Sequence, residues 1–324
     1  MSADVARPGW MAADVAVPVC FGAASAGIRT AMSLMGILDR WADKDSFDKA
    51  MEPALKAVQS VLPAGRVKDL LHGTWLGHPL HPVLAQVPVG SWVAAGLLDA
   101  VPPMRPAATL LIGTGVAAAV PTAVAGTADW SEQEAGVRRV GALHAVTNSL
   151  ALGFYVGSLA ARAKGRGGLG RVLAYAGLGL ASGSAAIGGH MSYAQSSGAS
   201  HATTAARALP HEEIDLGPLD DFPEGRAVLR TAQSSGTAIG LAAVRRGGRV
   251  DVFVSACAHL AGPLHEGEVE TVRGVECLVC PWHGSAFDLD DGSARRGPTA
   301  TAQEKLAVRM EAGRVMARLA ARHA

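Results

Sequence analysis

Two short stretches decide how this chain is read: CAHLAGPLHEG, from Cys257 to Gly267, and CPWHGSAFDL, from Cys280 to Leu289. Each opens with a cysteine followed closely by a histidine, C-x-H at Cys257 and His259 and C-x-x-H at Cys280 and His283. Each pair supplies one thiolate and one imidazole. Two irons bridged by two sulfides need four protein ligands in total, and so does one tetrahedral zinc ion. Zinc fingers normally gather two cysteines in one knuckle and two histidines in the other; here each knuckle mixes them, which favours iron–sulfur. Glycines and prolines after His259 and His283 let two loops fold tightly over a compact inorganic core.

From near His211 to near Leu319, these residues resemble the Rieske ferredoxin-like family. The resemblance implies an all-β domain, an antiparallel β-sandwich with a cluster-binding subdomain, holding a [2Fe-2S] cluster on Cys257, His259, Cys280 and His283. In that family both Cys bind one iron and both His the other, which raises the reduction potential to roughly −150 to +300 mV, against about −400 mV for plant-type ferredoxins. High-potential members carry an extra Cys in each loop, joined as a disulfide. Here the matching places read as Ala261 and Trp282. Those members also place a Tyr near the cluster where this chain has Phe287, while the neighbouring Ser285 is kept. Fewer hydrogen bonds to sulfur stabilise the reduced state less, so a ferredoxin-like, lower potential is expected. Twenty residues separate His259 from Cys280, slightly more than the family pattern, and the excess falls in a hairpin at EVETVRGVE whose Arg273-Gly274 suits a turn.

Composition sets the rest of the chain apart. Hydrophobic residues make up 49% and charged residues only 18%, with the apolar share concentrated between Pro82 and Met191. Val83–Val101, Ala107–Ala128, Val140–Ala161 and Val172–Gly189 are almost free of charge, each about the 17 to 25 residues that cross a hydrocarbon core. They predict an all-α four-helix transmembrane bundle, rich in the small residues that let helices pack closely. Through LGHPLHPVLAQVPVGSW, AGTADW, LHAVTN and GGHMSY, residues 66–195 resemble a family of small four-span bacterial proteins, DUF2231, which implies an architecture but no chemistry. In a hairpin bundle His72, His78, His81, His144 and His190, with Asp129 and Trp130, share the membrane face that carries the Rieske domain. His78, His81, His144 and His190 are therefore candidates for a second redox or metal site, for haem b or for a quinone.

Five segments follow: 1–45 without clear signals, an amphipathic helix over 46–65 capped at Asp45 or Ser46, the four-span unit at 66–193, a small-residue linker at 194–210 read as flexible, and the Rieske domain at 211–320. Val15–Ile28 is uncharged but short and interrupted by Pro18, so a signal peptide is not expected. Cys277 reads as a buried apolar residue rather than a ligand; Cys20 is the fourth cysteine. Cations near the spans number four on the cluster side and five opposite, which leaves orientation undecided by loop charge. The missing disulfide and the absence of a twin-arginine signal before the last span favour a cytoplasmic cluster on the bacterial cytoplasmic membrane. Net charge +1 with no basic tract argues against a nucleic-acid partner. The expected partners are the lipid bilayer, a soluble ferredoxin or flavin reductase as donor, and a membrane quinone or haem protein as acceptor. The alternatives are a membrane-tethered redox sensor, or a metal- or proton-handling unit gated by the cluster.

Overall fold

The computed structural model describes residues 34–319, so Cys20 and Val15–Ile28 lie outside the described residues. The chain runs through α1 (Leu34–Ala42), α2 (Asp48–Val61) and α3 (Arg66–His72) into four long helices: α4 (Leu80–Asp99), α5 (Arg105–Trp130), α6 (Ala135–Ala163) and α7 (Gly167–Tyr193). Each apolar stretch of the sequence falls on one of these four, the first running two residues past the end of α4. Two of them, over Pro102–Trp130 and Gly167–Tyr193, are long and apolar enough to cross a membrane by length and composition. The other two carry polar residues that dilute their hydropathy, His81, Gln86 and Asp99 in α4 and Arg138, Arg139, His144 and Asn148 in α6.

The four helices form two antiparallel hairpins, α4–α5 and α6–α7, built to one plan. Residues at a constant spacing of 63 do the same job in α4 and α6. His81 hydrogen-bonds the Thr122 carbonyl at 2.9 Å and His144 the Ser184 carbonyl at 2.9 Å. Each imidazole lies over a glycine of the partner helix, Gly126 or Gly188, where a Cβ would stand 2.6 or 3.1 Å from the ring. Three turns further on, Trp92 and Tyr155 pack against Gly115 and Gly177 and stack on each other, centroids 4.2 Å apart and 15° from parallel. At the far end Asp99 faces Arg162 in a buried ion pair, with Nη1 to Oδ1 at 2.9 Å. The hairpins thus meet through three matched pairs, imidazole with imidazole, aromatic with aromatic and acid with base.

The C-terminal part is all β. Strands β1 (Ile214–Pro218), β2 (Ala227–Ser234), β3 (Thr237–Arg246), β4 (Arg249–Val254), β9 (Lys305–Glu311) and β10 (Arg314–Leu319) form one antiparallel sheet in the order β1-β10-β9-β4-β3-β2. A second, smaller sheet orders β5 (Glu268–Val272), β6 (Val275–Val279), β7 (Ala286–Asp288) and β8 (Ala294–Arg296) in sequence. The core joins Leu241, Val252, Phe253 and Leu306 of the large sheet to Leu264, Leu278, Phe287 and Leu289. Arg273 and Gly274 turn β5 into β6 with φ of 55° and 82°, the left-handed pair that a two-residue hairpin turn requires.

Two expectations are corrected. Residues 194–210 are not a featureless tether: they contain α8 (Ala202–Arg207), whose Ala202 and Ala206, one turn apart, are buried with Leu209 in the β core. His201 N–H also donates to the Ala258 carbonyl at 3.0 Å. Small side chains look like linker composition, yet they are what lets a short helix lie close on a sheet. Neither Asp45 nor Ser46 caps α2 with its side chain; Asp45–Phe47 form a 3-10 turn running straight into it, and Asp48 instead pairs with Arg139 of α6 at 2.6 Å.

Candidate iron–sulfur centre

β4 leads into the first ligand loop and the β6–β7 connection forms the second. Each is a tight turn closed by its own backbone. Ala261 N–H donates to the Cys257 carbonyl at 2.8 Å, and Cys257 N–H to that of Gly262 at 2.9 Å. In the second loop Gly284 N–H donates to the Cys280 carbonyl at 3.1 Å and Cys280 N–H to that of Ser285 at 2.8 Å. Ala261 and Gly284 take φ of 57° and 72°, so both loops reverse through a left-handed residue at the same stage.

This backbone brings all four sequence-predicted ligands together as two pairs. Cys257 and Cys280, both buried, hydrogen-bond thiol to thiol. His259 and His283 stand edge to face with centroids 4.9 Å apart. Among the described residues no three His, Cys, Asp or Glu side chains converge on one ion position. A dinuclear core takes a thiolate pair at one metal and an imidazole pair at the other, which is how these four side chains are grouped.

The ionisation states match that use. The Cys257 hydrogen bond draws the Cys280 thiol down to about 7, helped by the amides of Trp282 and His283 against the opposing effect of burial, while Cys257 is pushed well up by the same contact and by burial. Burial, followed by the nearby His283, His72 and His201, takes His259 down to about 3; burial lowers His283 as well. Both rings are therefore neutral and hold a lone pair for metal. His259 Nδ1 is buried with no hydrogen-bond partner, a cost that a metal at that atom removes. The residues present fit a [2Fe-2S] group.

Ser285 is fully buried behind the second loop, and its Oγ accepts from Thr299 N–H at 3.4 Å. Phe287 is fully buried two residues further on, in β7. The disulfide position needs a correction: the residue against Trp282 is Gly262, where a Cβ would come within 3.0 Å of the indole and of Cys280 Sγ, and not Ala261, which is occupied in making the turn. Neither is a cysteine, so the absence of a bridge stands.

The membrane-side histidines do not form one cluster. His81 and His144 are neighbours, centroids 6.3 Å apart, with Asn148 Nδ2 3.1 Å from His144 Nε2. His78 is exposed and turns to the Pro79 carbonyl at 3.1 Å, and His190 Nε2 lies 2.9 Å from Asp39 of α1. His72 is buried with Nδ1 2.8 Å from Asp129 Oδ1.

Sequence reasoning missed how the centre meets the helices. Buried Asp69 of α3 accepts Gly297 N–H at 2.8 Å and pairs with Arg273 at the tip of the β5–β6 hairpin. A Cβ on Gly297 would stand 2.8 Å from the His72 ring, and Glu132 and Glu134 of the α5–α6 turn, with Arg138 at the start of α6, lie close enough to act on His283. The long hairpin flagged in the sequence is thus the arm that reaches the helical unit. Its length was the only available signal.

The loops and the paired ligands define an iron–sulfur domain of the Rieske class. Comparison with known families agrees: the chain carries a Rieske [2Fe-2S] domain at residues 212–309 and, at 77–206, a domain described as a predicted membrane protein, DUF2231. A human Rieske domain-containing protein is 47% identical over 36 residues, which span 11% of this chain and 23% of that protein's length. Among solved structures, the Sphingomonas yanoikuyae B1 ferredoxin is 23% identical over 33% of this chain and 98% of its own, with a TM-score of 0.29. The ferredoxin of carbazole 1,9a-dioxygenase from Nocardioides aromaticivorans IC177 is 19% identical over 33% and 98%, TM-score 0.29. The plasma-membrane Rieske protein PetC3 of Synechocystis PCC 6803 is 16% identical over 32% and 98%, TM-score 0.25.

Proposed function

We propose that this is a membrane-anchored electron carrier, with all four long helices spanning the bilayer and the Rieske domain on the cytoplasmic side. Its donor is a soluble ferredoxin or flavin reductase and its acceptor a quinone or haem in the membrane. When bound, a [2Fe-2S] cluster supplies a one-electron couple. Cys257 and Cys280 would hold one iron and His259 and His283 the other; Ser285 and the loop backbone set their positions.

The observation that carries this reading is the position of the two histidines. His259 lies within electrostatic reach of His72 and His283 within that of Glu132, Glu134 and Arg138, while Asp69 ties the domain to the helices through Gly297 and Arg273. A domain tied down with its imidazole edge toward the helices supports a reading of transfer into the membrane unit over one of free diffusion. Trp282, half exposed beside His283, offers an aromatic surface on which a soluble donor can dock. His81 and His144 are the helical residues best placed to contact an acceptor, since each Nδ1 is already fixed on a carbonyl.

Reduced protein in lipid nanodiscs tests the direction of flow. Reoxidation by an added membrane quinone, slowed by His144→Ala while the cluster's own spectrum is unchanged, is the expected result. Equal rates in both proteins would contradict the assignment of the helical unit as the exit.

A further inference from the structure

At the end of the helical unit remote from the iron–sulfur centre, α5 begins, α6 ends and α7 begins. Since α5 has 26 residues, this end lies about 39 Å along the helix from Trp130. A cavity of about 280 Å³ opens there, lined by Arg105, Thr109, Arg162, Gly167 and Arg171 among others.

The charges are on the wrong side of the helix dipoles. A helix N-terminus carries partial positive charge and favours an acid, yet neither α5 nor α7 has an acidic residue in its first turn. Arg105 opens α5, and Arg171 follows the first turn of α7. Arg162 is already neutralised by Asp99 and braced by Thr109 Oγ1 at 3.2 Å and Ser158 Oγ at 3.1 Å, so it forms a fixed wall. Among the described residues Arg105 and Arg171 have no carboxylate partner, and Arg105 Nε is buried with no hydrogen bond at all. The opposite end of the bundle differs. Its buried cations are paired, Lys68 with Glu132 and Arg139 with Asp48.

Two unpaired guanidinium groups, one with a buried donor, and the N-terminus of a long helix all converge on one cavity and lack an anion. A phosphate group supplies what is missing, because its oxygens accept from guanidinium forks and from helix-terminal N–H groups together. Room for it is left by Gly167 and Gly168, where an added Cβ would meet nothing within 4 Å. We infer that this cavity binds the phosphate of an anionic phospholipid headgroup in the leaflet opposite the Rieske domain, with Arg105 and Arg171 donating to its oxygens. The inference rests on reading the helical unit as membrane-embedded, where arginines near helix ends reach the level of the lipid headgroups.

The test uses the full chain, delipidated in detergent and titrated under native mass spectrometry. The probes are phosphatidylglycerol, phosphatidylcholine of the same acyl chains, and inorganic phosphate. The expected result is a preference of about tenfold for phosphatidylglycerol. That preference should disappear in R105Q/R171Q, weaken in R105K/R171K, which keeps the charge but not the fork, and persist in K164Q/R166Q, which alters only exposed loop cations. Helix content by circular dichroism shows that the variants are folded. An undiminished preference in folded R105Q/R171Q, or in folded R105K/R171K if the glutamine variant does not fold, would overturn the site, and inorganic phosphate binding with no lipid preference would overturn the lipid as its source. Alkaline carbonate washing of the cell membranes from which the chain is purified separates the two ideas: release contradicts the membrane reading, whereas a retained chain without preference contradicts this site alone.

Discussion

The Rieske domain and the helical unit secure their centres in opposite ways. In the β domain the ligand loops close around four side chains whose best use is to hold metal: two thiols in mutual contact, two neutral imidazoles, and a buried Nδ1 without a partner. In the helical unit the centre is filled by its own side chains, Trp92 stacked on Tyr155 and Asp99 paired with Arg162, with Trp92 Nε1 and Tyr155 Oη buried without hydrogen-bond partners. One centre has ligands arranged for a group from outside and the other is held by contacts between its own side chains, so the same kind of substitution should do different things in each.

Cys257→Ser should have the largest effect. With one ligand gone the cluster is lost and the loops it ties together unfold, because metal binding is coupled to folding. Iron content should fall to background while far-ultraviolet circular dichroism keeps its helical signal. Loss of that signal as well would show that the two regions are not independent.

Arg162→Leu should leave the iron content untouched and destabilise the helical unit by about 3 to 5 kcal/mol, since it strands Asp99 as a buried charge. The double exchange Asp99→Arg with Arg162→Asp should recover most of that, as read by thermal unfolding in detergent. No recovery would mean that the pair is not what joins the hairpins.

His283→Cys should keep a cluster but lower its potential by roughly 200 mV or more, toward the all-thiolate range. An unchanged midpoint in a redox titration would contradict the assigned ligand role. Asp69→Asn weakens the tie between the two regions by removing the charge facing Arg273, so limited proteolysis between them should quicken with the midpoint unchanged. The smallest effect is expected for Phe287→Tyr, which adds a hydrogen-bond donor near the ligands and should raise the potential modestly; a fall would undermine the account of why this domain is ferredoxin-like.

What could be read from the chain in advance follows from the range of the interactions. The four candidate ligands could be singled out because each pair is local: spacing alone puts Cys257 near His259 and Cys280 near His283. The Arg273-Gly274 turn was legible for the same reason, and the long helices because an apolar run is a one-dimensional signal. Partners across helices were not. Whether His190 faces His144 or Asp39 depends on the rotation and ends of separate helices, which composition does not encode. The hairpin repeat escaped notice because residue identity recurs only at His81 and His144, while the other matched positions differ in type, Trp92 against Tyr155 and Asp99 against Arg162. Residues 194–210 were misread because Ala202 and Ala206 mark a close-packed helix only once the sheet beneath them is known.

The central claim is that Cys257, His259, Cys280 and His283 hold a dinuclear iron centre. Iron and acid-labile sulfide on anaerobically prepared protein, with electron paramagnetic resonance after dithionite, test it most directly. The account predicts equal amounts of iron and sulfide, about two of each per chain, and the signal of a one-electron-reduced cluster with imidazole nitrogen coupling. Zinc in place of iron, or a blank spectrum from fully reduced material, would contradict it.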